Sequence, residues 1–141
     1  MKLYAESSAV LAWLLGEAAE GEVREVLGNA ELVAVSDLVI LECDRVLIRA
    51  LTLGAVDEVE AADLRARLHQ TASTWHVWRI SPEIIERARQ PFPAEPVRTL
   101  DALHLASALA VRSTIPGVAL LSLDERIRRT GKQLGFQLQP A

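Results

Sequence analysis

The chain of 141 residues predicts an α/β protein, a central parallel sheet covered by helices on both faces. Two observations carry that prediction. Short apolar runs (Leu3–Ala5, Leu32–Val35 and "VALLSL" at 118–123) alternate with longer stretches of helical character. Those runs are apolar at almost every position, as strands buried on both faces require. A third observation sets the scale: half of the composition is hydrophobic, enough for one sizeable core in a single domain spanning residues 1–141.

The elements follow in order. Lys2–Ala5 reads as a strand, and a helix follows through Leu15. A second helical stretch near Gly21–Leu27 precedes the strand Leu32–Val35. Ser36 or Asp37 caps a long helix to about Leu53, which Gly54 closes by reaching the left-handed conformation. Asp57–Thr71 reads as an amphipathic helix, and "TWHVWRI" alternates like a strand. Ser81-Pro82-Glu83 starts a helix with proline in its first turn, and "QPFPAEP" must be a loop. Thr99 is expected to cap a helix over Leu100–Val111. "PGVALLSL" is a buried strand, and Asp124–Thr130 a short helix before "GFQLQ". No repeat or low-complexity tract interrupts the pattern.

Charge and cysteine content narrow the function. A net charge of −4 gives no overall electrostatic footprint for nucleic acid, which argues against a simple coating module. It leaves open an enzyme that cuts nucleic acid at an acidic, metal-loaded site. Cys43 is the only cysteine, so no internal disulfide can form and a reducing compartment is expected. There is no signal-peptide pattern and no apolar run long enough to span a membrane, so the expectation is a soluble, cytoplasmic protein.

Four acids stand in apolar surroundings. In open α/β sheets ligands lie beyond the carboxyl ends of the strands. Glu6 directly follows the first strand, and Asp124 follows "VALLSL" in the same way. Asp101 lies within "RTLDALHLASALAV", and Glu42 within "LVILECDRVLI". Each has an ordinary explanation. Asp101 suits the first turn of a helix dipole, worth roughly 0.3–1 kcal/mol. Glu42 has Arg45 and Arg49 within reach on its helix, and Asp124 can cap "DERIRRT". Glu6 has no nearby cation in sequence. Four such coincidences are less economical than one shared site. Crowded carboxylates repel unless a counter-charge is supplied, and Mg²⁺ or Mn²⁺ prefers oxygen ligands of this kind. Such an ion activates a bound water and steadies the charge on a phosphodiester under attack. No Ser–His or Cys–His arrangement is evident, and His104, one turn after Asp101, reads as a core or rim histidine.

Together, the acid and Ser-Ser after the first strand, "LECDRVL", "RTLDALHLASAL" and "LLSLDERIRRTGKQLGF" resemble a PIN domain, and more narrowly the VapC-type toxins of bacterial toxin–antitoxin pairs. The resemblance covers nearly the whole chain. It implies a PIN-like three-layer sandwich and a Mg²⁺- or Mn²⁺-dependent endoribonuclease that forms a homodimer. It also implies a small cognate antitoxin that covers the acidic pocket. By the resemblance Glu6, Glu42, Asp101 and Asp124 are the catalytic acids, with Glu6, Asp101 and Asp124 on the metal. Ser8 and Ser122 match hydroxyls of the substrate region, and Arg98 is placed to contact RNA phosphate. Glu6 is a departure, since the family usually has Asp there, and its extra methylene can shift a metal by about an ångström. The alternative is a catalytically weakened PIN-like module that binds RNA or protein.

Other functions lack their hallmarks. A phosphoryl receiver needs a positioned lysine, and the chain has only Lys2 and Lys132. A nucleotide-binding domain needs a glycine-rich strand-to-helix turn, and neither usual pattern occurs. "SSAVLAWLL" and the region of Trp75 and Trp78 offer apolar surface for a two-fold dimer, and RNA selection falls to Arg98, Arg126 or Arg128.

Overall fold

The computed structural model describes residues Met1–Ala141. Five strands, β1 (Lys2–Ala5), β2 (Leu32–Ser36), β3 (His76–Trp78), β4 (Ala119–Leu121) and β5 (Leu138–Gln139), form one sheet in the order β3-β2-β1-β4-β5. Every pairing is parallel. Seven helices connect them: α1 (Ser7–Leu15), α2 (Glu20–Gly28), α3 (Asp37–Thr52), α4 (Glu58–Ala72), α5 (Pro82–Ala88), α6 (Thr99–Thr114) and α7 (Glu125–Gln133).

Alternation along each strand divides the interior into two cores. Leu3, Ala5, Val33, Val35, Ala119 and Leu121 meet apolar residues of α1 to α4, including Val10, Leu14, Val23, Val39, Leu47 and Leu68. Tyr4, Ala34 and Leu120 face the opposite way, against Ile84, Leu105, Ala108, Val111 and Ile127 of α5 to α7. Helices therefore cover both faces, as the uninterrupted apolar strands required. Trp13 and Trp75 join the first core with ring centroids 6.2 Å apart and planes tilted by 55°. Such a pair adds about 0.5–1.5 kcal/mol beyond its buried area. Trp78 packs against the second core, so all three tryptophans contribute to the interior of one chain.

Several boundaries differ from the sequence expectation for local reasons. The strand read from "TWHVWRI" shortens to His76–Trp78, because β3 is an edge strand with one neighbour and its first two residues exposed. Thr99 does not cap α6. Arg98 holds the N-cap geometry (φ −73°, ψ 159°) without a side-chain bond, and Thr99 is the first helical residue. That helix also runs on to Thr114, and α7 to Gln133. Elsewhere the signals hold: Ser36 caps α3, Asp57 and Glu60 form a reciprocal capping box on α4, and Ser81 caps α5.

The order of the strands locates the site. From β1 the chain moves outward to β2 and β3, then returns through α5 and α6 to lay β4 against the other edge of β1. The crevice at such a reversal opens beyond the carboxyl ends of the two central strands, here after Ala5 and Leu121. Helix α7 approaches β4 closely because Gly131 has no side chain. A Cβ there would lie 2.5 Å from the buried Leu120 Cδ2.

Candidate active site

Glu6 terminates β1 and is the N-cap of α1, with extended backbone (φ −96°, ψ 158°). Its side chain is almost wholly buried, 4% exposed. Oε2 accepts three hydrogen bonds: from the Ser8 amide at 3.1 Å, from Ser8 Oγ at 2.5 Å and from Ser122 Oγ at 2.8 Å. The two hydroxyls are themselves held by amides of the segment after β4. Ser8 Oγ accepts from the Leu123 amide at 2.9 Å, and Ser122 Oγ from the Asp124 amide at 3.1 Å. This network ties the ends of β1 and β4 together around one carboxylate. Burial pushes the Glu6 carboxyl above its usual range, and the Ser8 bond, the charge of His104 and the Ser122 bond offset that only in part.

Glu42 comes from the middle of α3. Its Oε1 accepts from Ser7 Oγ at 2.6 Å and pairs with His104 Nε2 at 2.5 Å. Burial alone would raise the Glu42 carboxyl, but the His104 and Ser7 bonds overcome it and hold it below the usual range. His104 is 3% exposed, and burial alone would lower its pKa. The bond to Glu42 and the charges of Glu42, Glu6 and Asp101 override burial and raise it. The pairing thus favours the charged form of each partner. Of the core or rim positions that its sequence context indicated, His104 takes the core one, paired there with an acid.

Asp101 occupies the first turn of α6, its Oδ2 3.7 Å from Arg98 Nε. Asp124 is the N-cap of α7, and its Oδ1 accepts from the Arg126 amide at 2.9 Å and the Ile127 amide at 3.1 Å. The ordinary capping role and a place at the crevice coincide in this residue. Glu6, Glu42, Asp101 and Asp124 all line one cavity of about 480 Å³, with Ser8, Arg98 and His104 also in its wall. Ser122, expected at the substrate, is fully buried and absent from that wall. Its hydroxyl positions Glu6 instead. Arg128, expected among the RNA contacts, is spent on the backbone carbonyls of Ser122, Gln139 and Pro140.

The donors suit a hard cation in kind. They are carboxylate oxygens, and Glu6 Oε1, Asp124 Oδ2 and both Asp101 oxygens accept no hydrogen bond from the chain. Four carboxyl groups share the wall with only His104 and Arg98 as basic partners. The side chains as they stand are spread around the cavity, and no three His, Cys, Asp or Glu are grouped tightly enough to enclose an ion. Nucleophilic catalysis by the protein is a poor fit. Ser7 Oγ lies 3.5 Å from His104 Nε2, yet Glu42 takes the same nitrogen and Nδ1 is buried without a partner. A relay needs the base to use one ring nitrogen for the nucleophile and the other for its carboxylate. Burial pushes the Cys43 thiol up to about 12, which leaves it inert.

The PIN domain family profile matches residues 3–133, nearly the whole chain. The chain belongs to the PIN-domain family. No curated protein matches the sequence significantly. Among solved structures, this PIN domain is similar to Mycobacterium tuberculosis VapC20, described as a toxin that cleaves the sarcin-ricin loop. That match has 17% identity and a TM-score of 0.67 and covers 95% of each chain. A toxin–antitoxin complex from Klebsiella pneumoniae matches with 18% identity, a TM-score of 0.68 and coverage of 99% of this chain and 98% of that one. Rickettsia felis VapBC2, solved with a fragment of its promoter DNA, matches at 12% identity and a TM-score of 0.65, covering 99% and 98%. At these identities the likeness establishes the shared PIN fold, with its parallel sheet between two helical layers. No helix of this PIN domain is long and apolar enough to cross a membrane.

Proposed function

We propose that this PIN domain is a metal-dependent endoribonuclease and the toxin of a toxin–antitoxin pair. The observation that supports it is the gathering of Glu6, Glu42, Asp101 and Asp124 on one cavity beyond β1 and β4. Glu6, Asp101 and Asp124 would hold Mg²⁺ or Mn²⁺, which when bound activates water and stabilises charge on the phosphodiester. The chain's own contributions are positional and electrostatic. Ser8 and Ser122 hold Glu6 on its inner oxygen, which leaves Oε1 for the cavity. His104 would hold Glu42 in place, and Arg98 in the same wall would meet an RNA phosphate. The toxin role rests on the PIN family and on the toxin–antitoxin structures among its neighbours. Its partners in this reading are RNA, a small cognate antitoxin over the acidic cavity, and a second copy of the chain in a two-fold homodimer. Light scattering at tens of micromolar is expected to give a dimeric mass, and a monomeric mass there removes the homodimer from the proposal.

A catalytically weakened PIN module that binds RNA or protein is the second reading. The observation favouring it is that Glu6 turns one oxygen inward and no three side chains enclose an ion. Glu6 itself separates the two. Metal-dependent cleavage of total RNA, with Mn²⁺ binding by calorimetry, is compared for wild type, Glu6→Asp and Glu6→Gln. In a pocket built for the longer arm, Asp loses reach to either the serines or the cavity, and cleavage falls. Displacement by about an ångström can cost on the order of 100-fold. Gln keeps the bonds to Ser8 and Ser122 but loses the charge, so metal affinity and cleavage both fall. Higher activity of Glu6→Asp marks a weakened descendant of an Asp-based site. Equal cleavage by all three proteins removes Glu6 from the metal.

A further inference from the structure

A second cavity, of about 400 Å³, lies between the segment from Ala94 to Arg98 and helix α7. It shares Arg98 and Asp101 with the acidic cavity, so the two are neighbouring compartments of one groove. Its character is opposite. Arg98, Arg126 and Arg129 line it against Glu95 and Asp101, an excess of positive charge on a chain of net charge −4.

Most arginines outside this cavity are already engaged, and the exceptions, Arg45, Arg49 and Arg79, do not line it. Arg24, Arg65 and Arg89 are paired with Glu20, Asp44 and Glu86. Arg67, Arg87 and Arg112 lie over the rings of Trp13, Phe92 and Phe136. Arg128 is bonded to three backbone carbonyls. Arg126 and Arg129 make no ion pair, hydrogen bond or ring contact through their guanidinium groups, and Arg98 has only Asp101, at 3.7 Å. Arg126 and Arg129 stand on α7, three residues apart and hence on one helix face. The opposite wall is ordered by Glu95, which does not oppose them freely. Its Oε2 accepts from the Phe92 amide at 2.8 Å and its Oε1 from the Val97 amide at 2.7 Å, fixing the loop that presents Arg98. Val97 and Leu105 supply apolar wall in the same cavity.

We infer that this cavity is a phosphodiester subsite, holding a backbone phosphate of single-stranded RNA beside the one cut in the acidic cavity. Unpaired guanidinium groups on a concave wall match phosphate geometry and positioning by bidentate bonds. The apolar part of the wall suits a ribose or base edge. This subsite gives an acidic protein a way to hold a polyanion: local cations next to local carboxylates, with no basic surface overall. The inference deepens the ribonuclease reading and rests on it for the identity of the strand.

The test is separable from that reading. Binding of a fluorescein-labelled single-stranded RNA oligonucleotide is followed by anisotropy in EDTA, where no cleavage occurs, across a salt series. Wild type is compared with Arg126→Gln/Arg129→Gln and with Arg45→Gln/Arg49→Gln, which alters unpaired arginines on α3 lining a different groove. The α7 double variant is expected to bind about tenfold more weakly or worse. The slope of log affinity against log salt should become shallower by about 0.7 for each phosphate that the variant no longer neutralises. The α3 variant should match wild type in affinity and slope, and melting curves of all three proteins should coincide. Equal losses in both variants mean diffuse electrostatics and overturn the subsite. Unchanged RNA binding by the α7 variant overturns it too, whether the cavity serves an acidic peptide or nothing. If wild type fails to cleave in Mn²⁺ but the arginine dependence holds, the nuclease reading fails and the subsite stands.

Discussion

Asp101→Asn is expected to reduce metal-dependent RNA cleavage to background while the protein remains folded. The side chain is placed to be dispensable for stability. It lies in the first turn of α6 and makes no capping bond, since the N-cap is Arg98 and carries no side-chain bond at all. Its one ionic neighbour is the exposed Arg98 at 3.7 Å, the kind of pair that contributes little. Losing the charge forfeits a helix-dipole contribution of roughly 0.3–1 kcal/mol. Against that, it relieves repulsion from Glu6, Glu42 and Asp124 around the same cavity. The melting temperature should therefore stay the same or rise slightly. Activity should respond in the opposite sense, because an amide is a much poorer ligand for a hard cation than a carboxylate. Cleavage of total RNA in Mn²⁺, beside a thermal melt, checks both halves. A wild-type rate removes Asp101 from the mechanism.

His104→Leu should destabilise the fold on the order of 3 kcal/mol, because it strands the partly buried Glu42 carboxylate with Ser7 as its sole partner. For a chain of this size that is roughly a 10 °C fall in Tm. A paired His104→Leu/Glu42→Leu variant should recover much of the loss, since removing both charges also removes the desolvation cost. The pH dependence identifies the ion pair. The Glu42 carboxyl is lowered from 4.5, so its contribution is present above 4.5 and is lost as pH falls through the lowered value. His104 is raised from 6.5, so its contribution is complete below 6.5 and is lost as pH rises through the raised value. The difference in Tm between wild type and His104→Leu should be greatest between 4.5 and 6.5 and shrink on either side. Glu6 titrates in both proteins. Its raised carboxyl removes stability as pH climbs above 4.5, and more so in the variant, where the charge of His104 no longer offsets its burial, which adds to the difference in the same window. A difference independent of pH would mean that His104 acts by packing alone.

Much of the architecture was legible from local chemistry. Apolar runs at 3–5, 32–35 and 118–123 could be buried only in a sheet covered on both faces. Ser36, Ser81 and Gly54 ended and began helices as their side chains or backbone freedom dictate. The edge strand was read too long because β3 has only one neighbour, and the N-cap of α6 was placed one residue late because Arg98 takes its extended conformation without a side-chain signal. Within the site, Glu6 and Asp124 stood out because each follows a strand, while Asp101 and Glu42 stood out as acids in apolar helices.

The sequence by itself determined the α/β class and marked the four acids as candidates, because both depend on residue type and local context, and its motifs carried the resemblance to the family. Only the tertiary structure decided what each side chain does there. Ser122 holds Glu6, from 116 positions away, and His104 balances Glu42 across two helices. Arg128 is taken by backbone carbonyls, which leaves Arg126 and Arg129 free to face a cavity. Which of several similar side chains is paired and which is free depends on contacts between residues distant in the chain. Charge pairing, desolvation and cavity shape arise only when the elements pack, so no local pattern encodes them.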